Sequence, residues 1–564
     1  MRMTNKIMQN NSLYNINNNK LLQDKLSTQM STQKKITRPS DDPVIAIRAL
    51  RLRTNVSELT QFYGKNAPDA DSWLTVTGKA LSTVADVLTE MSREANKASN
   101  KEKGPEDLQI ILEQLKSLKN EFYSTGNMDY AGRYVFTGYR TTTPLSFTDE
   151  VEEQGKGYPS YDITEQVKIG DFDSINYTDV GELDGLNKNN CTNKTNPDGS
   201  EIEEDDVTNT DIRRLRLAYD KLATQVPKRN PDGTPIQQTD GNGKPVTDAD
   251  GNPVYEMEDA KVTIEVGSKT YSTDPAGGGD TIKVVPLSDD PYSQVGSSDV
   301  IFVPETGEIL FGDKAYTDLE TELGNANGTD TEIRVTYTKD EWKNGDLRPE
   351  HYFACTGRTL GKDHKEKSVS YNQDYLTEGY NKQIIEYDVG YNQKIQVNTT
   401  ADEVFNHNLD RDMDDLERAL AELTKIDATK EDLKKVLDEM KDRNVSESDA
   451  EYVRVKNQYD AAGKAYDYIR ENVHKMFEKT ISDTQGYLDD ANVAITDNGT
   501  RSQRLDLISN RLMDQKTTFQ TLQSENEDAD IAEVAIQLTS TELTYNAALM
   551  ATGKIMQTSL MNYI

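Results

Sequence analysis

The sequence predicts an α+β fold: long α-helices from both chain ends, packed as a coiled coil or helical bundle, with a β-rich middle region inserted between them. Three observations predict it. Apolar residues recur at alternating spacings of three and four through residues 5–122 and 405–559, the period of helices packed along their length. Between about 150 and 400 that period vanishes, and clusters of Asn, Asp, Gly and Pro separate short runs rich in Val, Ile and Tyr. The chain has 564 residues, too many for one compact core, so two to four domains are expected.

The first helix is expected over 5–35. Ile7, Tyr14, Leu21 and Thr28 recur every seven residues, and Leu22, Leu26 and Met30 continue at spacing four. The stripe is thin, and Asn, a poor helix former, fills much of the remainder. Such a segment is expected to be disordered alone and helical only against a partner. The loop Thr37-Arg38-Pro39-Ser40-Asp41-Asp42-Pro43 follows. Asp42 stands where a side chain accepts from the free N–H groups of a first helical turn, and Pro43 stands where its missing N–H costs nothing. The next seam is Ile45, Ala49, Leu52, Val56, Leu59 and Tyr63, with Pro68 expected to interrupt it. A third helix shows Leu74, Gly78, Leu81, Ala85, Leu88, Met91 and Ala95, and a fourth begins after Pro105 with Ile111, Leu115, Leu118 and Phe122. Gly132 to Tyr139 reads as a short strand or hairpin.

In the middle region the runs 262–266, 281–285 and 333–337 read as strands. Ile301–Val303 and Ile309–Phe311 flank a turn at 304–308, a hairpin signal. One helix is expected at about 209–224. Helix returns near 402, with Leu409, Met413, Leu416, Leu420 and Leu423. A long heptad runs from Tyr452 through Val455, Tyr459, Ala462, Tyr466, Ile469, Val473 and Met476, then Leu505, Ile508, Leu512, Gln515, Phe519 and Leu522. The last seam is Val534, Leu538, Thr541, Tyr545, Ala548, Thr552, Ile555 and Ser559. Its polar positions bury little area in a single chain, so intermolecular packing is expected at both extreme ends.

Mean hydropathy is −0.78. No run of eighteen apolar residues exists, so no membrane span is expected, and the Asn-rich start has no apolar stretch of the kind a secretory signal needs. The net charge of −34 is uneven: residues 1–65 carry +7, residues 500–564 carry −3, and 66–499 carry −38. An acidic body of this size disfavours nucleic acid and anionic membranes as partners. Cys191 and Cys355 allow one disulfide but no disulfide framework, and neither has the neighbours of a zinc site. The four histidines, His351, His364, His407 and His474, stand in no metal-binding pattern and read as solvated surface groups. Gly277–Gly279 lacks the Lys of a phosphate loop. In Asp248–Asn252 the glycine is misplaced for calcium. No catalytic residue, metal or cofactor is expected, and the chain reads as not an enzyme.

Helical ends around a variable middle resemble the flagellin superfamily. Arg38, Pro39, Ser40, Asp41, Asp42 and Pro43 resemble the loop of its hook–filament junction (hook-associated protein 3) family, and the loop pattern of flagellins proper is absent. Gly132-x-Tyr134-x-Phe136-x-Gly138 is similar to the family's strand after the first helical region, and Ile385–Gly390, Val397-Asn398 and Val404-Phe405 to its return. Gly499-x-Arg501-x-x-Arg504-Leu505, Asp530–Ala532, Tyr545–Leu549 and Ser559–Ile564 complete the likeness. It covers about 1–147 and 384–564.

The resemblance implies a structural subunit joining the hook, through hook-associated protein 1, to the flagellin filament, as a ring of about eleven copies. It implies export by the flagellar type III apparatus without a signal peptide, a cytoplasmic export chaperone on the C-terminal helix, and an extracellular location in the bacterial flagellum. The domains expected are 1–40 with 531–564 as a terminal coiled-coil inner domain, 41–150 with 401–530 as a helical bundle core, and 151–400 as a β-rich outer domain of one or two subdomains. The assembly interface is expected on Ile7, Tyr14, Leu21, Leu26, Val534, Leu538, Tyr545, Leu549, Ile555 and Leu560. Asp41 and Asp42 cap the next helix, and a second reading of equal weight has them also meet a basic group on a neighbour. The rival readings are a divergent flagellin and a surface adhesin acting through the β-rich middle.

Overall fold

The computed structural model describes residues 5–99, 103–148, 159–230, 234–241, 244–247, 253–274, 280–325, 333–360, 366–377 and 383–561, with side chains of the last helix described to residue 554. Among the described residues the α-helices are α1 (Asn5–Thr32), α2 (Pro43–Gln61), α3 (Ala67–Ala98), α4 (Pro105–Thr125), α5 (Asp313–Asn325), α6 (Asn408–Asp442), α7 (Ala450–Glu527) and α8 (Ile531–Met561). The chain divides into two compact units, one of residues 1–72, 386–396 and 500–564, the other of 73–385 and 397–499.

In the first unit α2 starts as the sequence requires. The Asp42 carboxylate accepts from the N–H groups of Val44 and Ile45 at 2.9 and 3.1 Å, with Pro43 at the first helical position. Ala49 and Leu59 are buried and Ile45, Leu52, Val56 and Tyr63 half-buried, so the predicted seam is the inward face. Pro68 does not interrupt the chain. The helix widens one turn earlier into a π-helical segment at Phe62–Asn66, and Pro68 lies in the first turn of α3, where no N–H is needed. A hairpin of β17 (Glu386–Gly390) and β18 (Gln393–Gln396) docks on that segment. Tyr391 meets Phe62 edge to face at 5.7 Å, Asn66 donates to the Asp388 carbonyl at 2.7 Å, and the hydroxyls of Tyr387 and Tyr391 donate to Asp69 and Glu58.

The second unit joins a helical layer to a β-sandwich. Leu74, Leu81, Leu88 and Met91 of α3 are buried. Gly78 lets α7 approach closely, since a Cβ there would stand 2.8 Å from Nδ2 of Asn498, which donates to the Leu74 carbonyl. Phe405 packs against Phe122 (tilted, centroids 5.1 Å apart) and Phe136 (edge to face, 5.0 Å), fixing α4 to the segment that enters α6.

One sheet of the sandwich runs β10 (Asp280–Thr281), β9 (Lys269–Ser272), β8 (Thr263–Val266), β14 (Ile333–Lys339), β3 (Ser160–Val167), β15 (Ala354–Leu360), β16 (Glu366–Tyr371). The other runs β11 (Lys283–Val284), β12 (Val300–Val303), β13 (Glu308–Phe311), β5 (Thr208–Arg216), β4 (Phe172–Asp179). Ile163, Val335 and Tyr337 of the first sheet and Phe302, Ile309 and Phe311 of the second share one core. The predicted hairpin is β12–β13. Its Gly307 has φ +59°, and a Cβ there would lie 1.9 Å from the Tyr219 carbonyl, so glycine is required.

The helix expected at 209–224 is instead strand β5 followed by extended chain. Ile212, Leu215, Tyr219 and Leu222 mimic a helical spacing. The true period is two, through Leu215, Leu217 and Tyr219, and on the alternate positions Arg214 is buried and Arg216 half-buried by ion pairing rather than solvated. Helix returns at Asn408 rather than 402, after a 3₁₀ turn at Ala401–Glu403. Leu522, predicted to continue the α7 seam, is exposed.

Among the described residues, 228–230, 234–241, 244–247 and 253–256 pair through isolated antiparallel bridges, Arg229 with Pro235, Thr239 with Pro245, Thr247 with Pro253 and Gln237 with Tyr255. The Ile236 N–H donates to the Lys228 carbonyl, Val246 N–H to Gln238 and Val254 N–H to Val246 at 2.8, 2.8 and 3.1 Å. The repeated pairs Pro235-Ile236, Pro245-Val246 and Pro253-Val254 mark them, a repeat the turn signals alone do not expose. The Asp248–Asn252 loop, Gly277–Gly279 and His364 lie outside the described residues.

Candidate functional site

The helices α1 and α8 lie antiparallel, with Gln23 donating to Glu542 at 3.4 Å. α8 presents its predicted seam to the pair: Val534, Thr541 and Thr552 are buried and Leu538, Tyr545 and Ala548 half-buried. α1 answers with Gln9, Ser12, Ile16, Asn19, Gln23 and Leu26, alternating three and four. Leu26, 3% exposed, and Ile16 are its buried apolar residues among those described. Four hydroxyls of α8, on Thr539, Thr541, Thr544 and Thr552, return to carbonyls four residues back, which satisfies them locally.

The larger apolar side chains of the pair point away from its seam. Ile7, Tyr14 (67% exposed), Leu21 (69%), Leu22 and Met30 face outward on α1, as do Ile536, Leu543 (73%), Leu549 and Met550 (74%) on α8. Of the residues singled out in the sequence, Leu26, Val534, Leu538 and Tyr545 thus meet within the pair. Ile7, Tyr14, Leu21 and Leu549 form outward stripes, and the side chains of Ile555 and Leu560 lie outside the described residues.

Both halves of the pair turn at one place. Lys35 N–H donates to the Glu527 carbonyl at 2.7 Å and Ala529 N–H to Gln33 at 2.9 Å, a short antiparallel bridge between the α1–α2 and α7–α8 connections. Arg53 grips the buried Glu527 carboxylate with two bonds of 2.7 and 2.6 Å, and Lys34 pairs with Asp528. Asn526 donates to the Ile45 carbonyl at 3.2 Å. No motif in the sequence marks this clasp. Its signal was the basic pair Lys34-Lys35 and the acidic pair Glu527-Asp528, each just beyond a helical seam. In the adjoining loop Asp41 accepts from Arg38 N–H at 2.9 Å and Thr37 N–H at 3.2 Å, and these backbone bonds hold its carboxyl below the usual range. Arg38, Pro39, Ser40 and Pro43 are exposed. Both aspartates therefore serve the loop and the helix start within the chain.

Ionisable groups elsewhere are structural in their surroundings. Arg214 is enclosed by Asp173, Glu308 and Asp415 at 2.8, 3.2 and 2.6 Å, Arg216 by Asp412 and Asp415 at 2.7 and 3.0 Å, and Arg418 reaches Glu308 at 2.6 Å. Burial raises Asp173, but Arg214, Arg216 and Lys479 outweigh it and hold the carboxyl at about 2. This cluster binds β4, β5 and β13 to α6. Glu165 is pushed to about 7 by burial, against the pull of the Tyr337 hydroxyl and the Ala218 N–H.

Of the four histidines, His351, His407 and His474 are not the solvated groups expected. His407 is buried among Tyr219, Tyr352 and Phe353, with Nε2 3.0 Å from the Tyr219 hydroxyl, and burial pushes it down to about 3. His351, 3.0 Å from the Pro144 carbonyl, is pushed down to about 4 by burial, and His474 is buried too. Each sits beside a turn or helix whose packing the local sequence does not reveal. Cys191 and Cys355 are buried free thiols, both raised by burial. Among the described residues no three His, Cys, Asp or Glu side chains converge as a metal site, and no helix is long and apolar enough to cross a membrane.

Residues 3–141 match the family model for the bacterial flagellin N-terminal helical region. The chain is 30% identical over 199 residues to flagellar hook-associated protein 3 of Escherichia coli (strain K12), covering 33% of this chain and 61% of that protein. It is 26% identical over 204 residues to flagellar hook-associated protein 3 of Salmonella typhimurium, covering 36% and 62%. The matches thus span about three fifths of the length of these curated relatives. Among solved structures, the chain is similar to FlgL of Xanthomonas campestris (10% identity, 83% of this chain and 98% of that one, TM-score 0.28) and to flagellar hook-associated protein-3 of Legionella pneumophila (11%, 83% and 98%, TM-score 0.19).

Proposed function

We propose that this chain is a non-catalytic structural subunit of the bacterial flagellum, a hook-associated protein 3 that forms the junction between the hook and the flagellin filament. The observation that carries the proposal is the outward apolar stripes on α1 and α8, on a helix pair whose own seam is largely polar. Large apolar side chains left in water at regular helical spacing mark a surface that other subunits cover. The sequence match to hook-associated protein 3 of two enterobacteria supports the same reading.

In this proposal Ile7, Tyr14, Leu21, Leu549, Ile555 and Leu560 pack against neighbouring copies, hook-associated protein 1 below and flagellin above. The terminal pair, 1–40 with 531–564, forms the inner layer, 41–150 with 401–530 the bundle around it, and 151–400 the outer part. About eleven copies close a ring. Export proceeds through the flagellar type III apparatus, with a chaperone shielding the C-terminal stripe beforehand, and the protein ends outside the cell. The acidic body, −38 over residues 66–499, keeps such crowded subunits soluble and apart except at their interfaces.

Deletion of the gene tests the proposal, with cells viewed by electron microscopy and the medium probed for flagellin. Hooks without filaments, with flagellin in the medium, are expected. Missing filaments with no flagellin in the medium would instead make this chain the filament subunit. Normal filaments would overturn the flagellar role.

A further inference from the structure

The second unit contains a cleft of about 700 Å³ that the assembly reading does not use. It lies between the end of β4 with its following loop, the Leu287–Tyr292 turn, and one face each of α6 and α7. Its volume is within the range of ~300–1,000 Å³ typical of small-molecule sites. Tyr177 and Tyr292 stack in its wall with centroids 5.3 Å apart. Their hydroxyls are held by Asp290 at 2.6 Å and Glu308 at 2.9 Å, so both rings are fixed.

The charges around the cleft are almost all matched. Asp415 and Arg418 belong to the buried ion cluster, Asp184 pairs with Lys425, Glu182 with Lys194, and Asp179 accepts from Gly181 N–H. Among the described residues Glu422 alone of the charged groups lining the cleft has neither a hydrogen bond nor an ion pair. Water reaches it, yet burial against the surrounding protein, with Asp290 and Asp184 nearby, raises its carboxyl above the usual range, and Arg418 and Lys425 offset only part of that. Counting the side chains that line the cleft, six are carboxylates and two are basic. An anionic ligand is thereby disfavoured, and a neutral one would leave Glu422 unmatched.

We propose that this cleft binds an organic cation, an ammonium or guanidinium group on an alkyl stem, with the stem against Tyr177 and Tyr292 and the charge on Glu422. Phenol faces and a lone carboxylate are the two features that recognise such a group. The cation has two sources, a free amine or a basic side chain of a partner segment. The inference rests on the second unit alone and stands apart from the assembly role.

The test is calorimetric titration of the full-length monomer with agmatine, cadaverine, a Lys- and Arg-containing hexapeptide and, as a neutral control, methyl glucoside. Glu422→Gln is titrated alongside, and its unchanged melting temperature shows that it folds. Saturable binding of a cation, weakened about tenfold or more by Glu422→Gln, is expected. Tighter binding of the hexapeptide than of either free amine marks a partner segment as the source, and the reverse marks a metabolite-sized ligand. Absence of saturable cation binding up to ~10 mM overturns the proposal. So does binding that Glu422→Gln leaves unchanged, or a preference for the glucoside.

Discussion

In the second unit the Arg214 guanidinium is enclosed by three carboxylates and Phe405 is flanked by Phe122 and Phe136, so these buried polar and apolar groups find their partners inside one chain. In the first unit the α1–α8 seam holds Gln9, Ser12, Asn19 and Gln23, while Tyr14, Leu21, Leu543 and Met550 stand in water. The helical period of the two regions is alike, and what differs is where the large apolar groups go. A period alone therefore does not say whether the partner helix belongs to the same molecule.

The largest effect that would sharpen this contrast is expected in the second unit. Arg214→Ala leaves Asp173, Glu308 and Asp415 without their shared cation in a buried site, and a loss of about 3–5 kcal/mol is expected by urea denaturation. A loss under about 1 kcal/mol would mean that the cluster is solvated and the contrast false.

Acid should act next, and on the same unit. His407 and His351 stay neutral in the folded protein down to about 3 and about 4, whereas the unfolded chain protonates them near the ordinary value of 6.5. As pH falls through that window the unfolded state binds more protons, so stability declines with falling pH, by about 3 kcal/mol for each histidine between pH 6.5 and 4. Asp173 adds a further loss as pH falls from 3.8 through about 2. His407→Phe should flatten the slope between pH 6.5 and 4. A slope unchanged in that variant would refute the assignment.

Smaller effects belong to the first unit. Arg53→Ala leaves the buried Glu527 carboxylate with only the more distant Lys34, at 3.8 Å. It should loosen the clasp by about 1 kcal/mol, read as faster protease cleavage near residues 33–35 with the second unit intact. Leu21→Ser should change monomer stability by less than about 0.5 kcal/mol and yet prevent incorporation into flagella when the variant replaces the native chain. Loss of monomer stability instead would place Leu21 in an intramolecular core.

Much of this was legible in the sequence. The helical ends, the Asp42-Pro43 helix start, the β12–β13 hairpin and the α8 seam follow from spacing and turn chemistry acting locally. The failures share a cause in long-range burial. The helix expected at 209–224 followed the spacing of Ile212, Leu215, Tyr219 and Leu222, and sequence does not show that Asp415, two hundred residues on, neutralises Arg214 and Arg216 on a buried strand. His407 looked like a surface group because its aromatic neighbours come from two separate loops. On α1 the eye follows Ile7, Tyr14 and Leu21, whereas α8 takes the neighbouring stripe through Ile16 and Leu26. The clasp at Glu527 left only the charge pairs Lys34-Lys35 and Glu527-Asp528 in the sequence, which do not show that segments some five hundred residues apart meet.

Hydrogen exchange of the dilute monomer, repeated on the assembled flagellum, tests the contrast most directly. The account predicts that amides of residues 5–32 and 531–561 exchange far faster in the monomer than those of β13 and α6, and that assembly protects them. Terminal helices as well protected in the monomer as β13 would contradict it, because the first unit would then be complete without its neighbours.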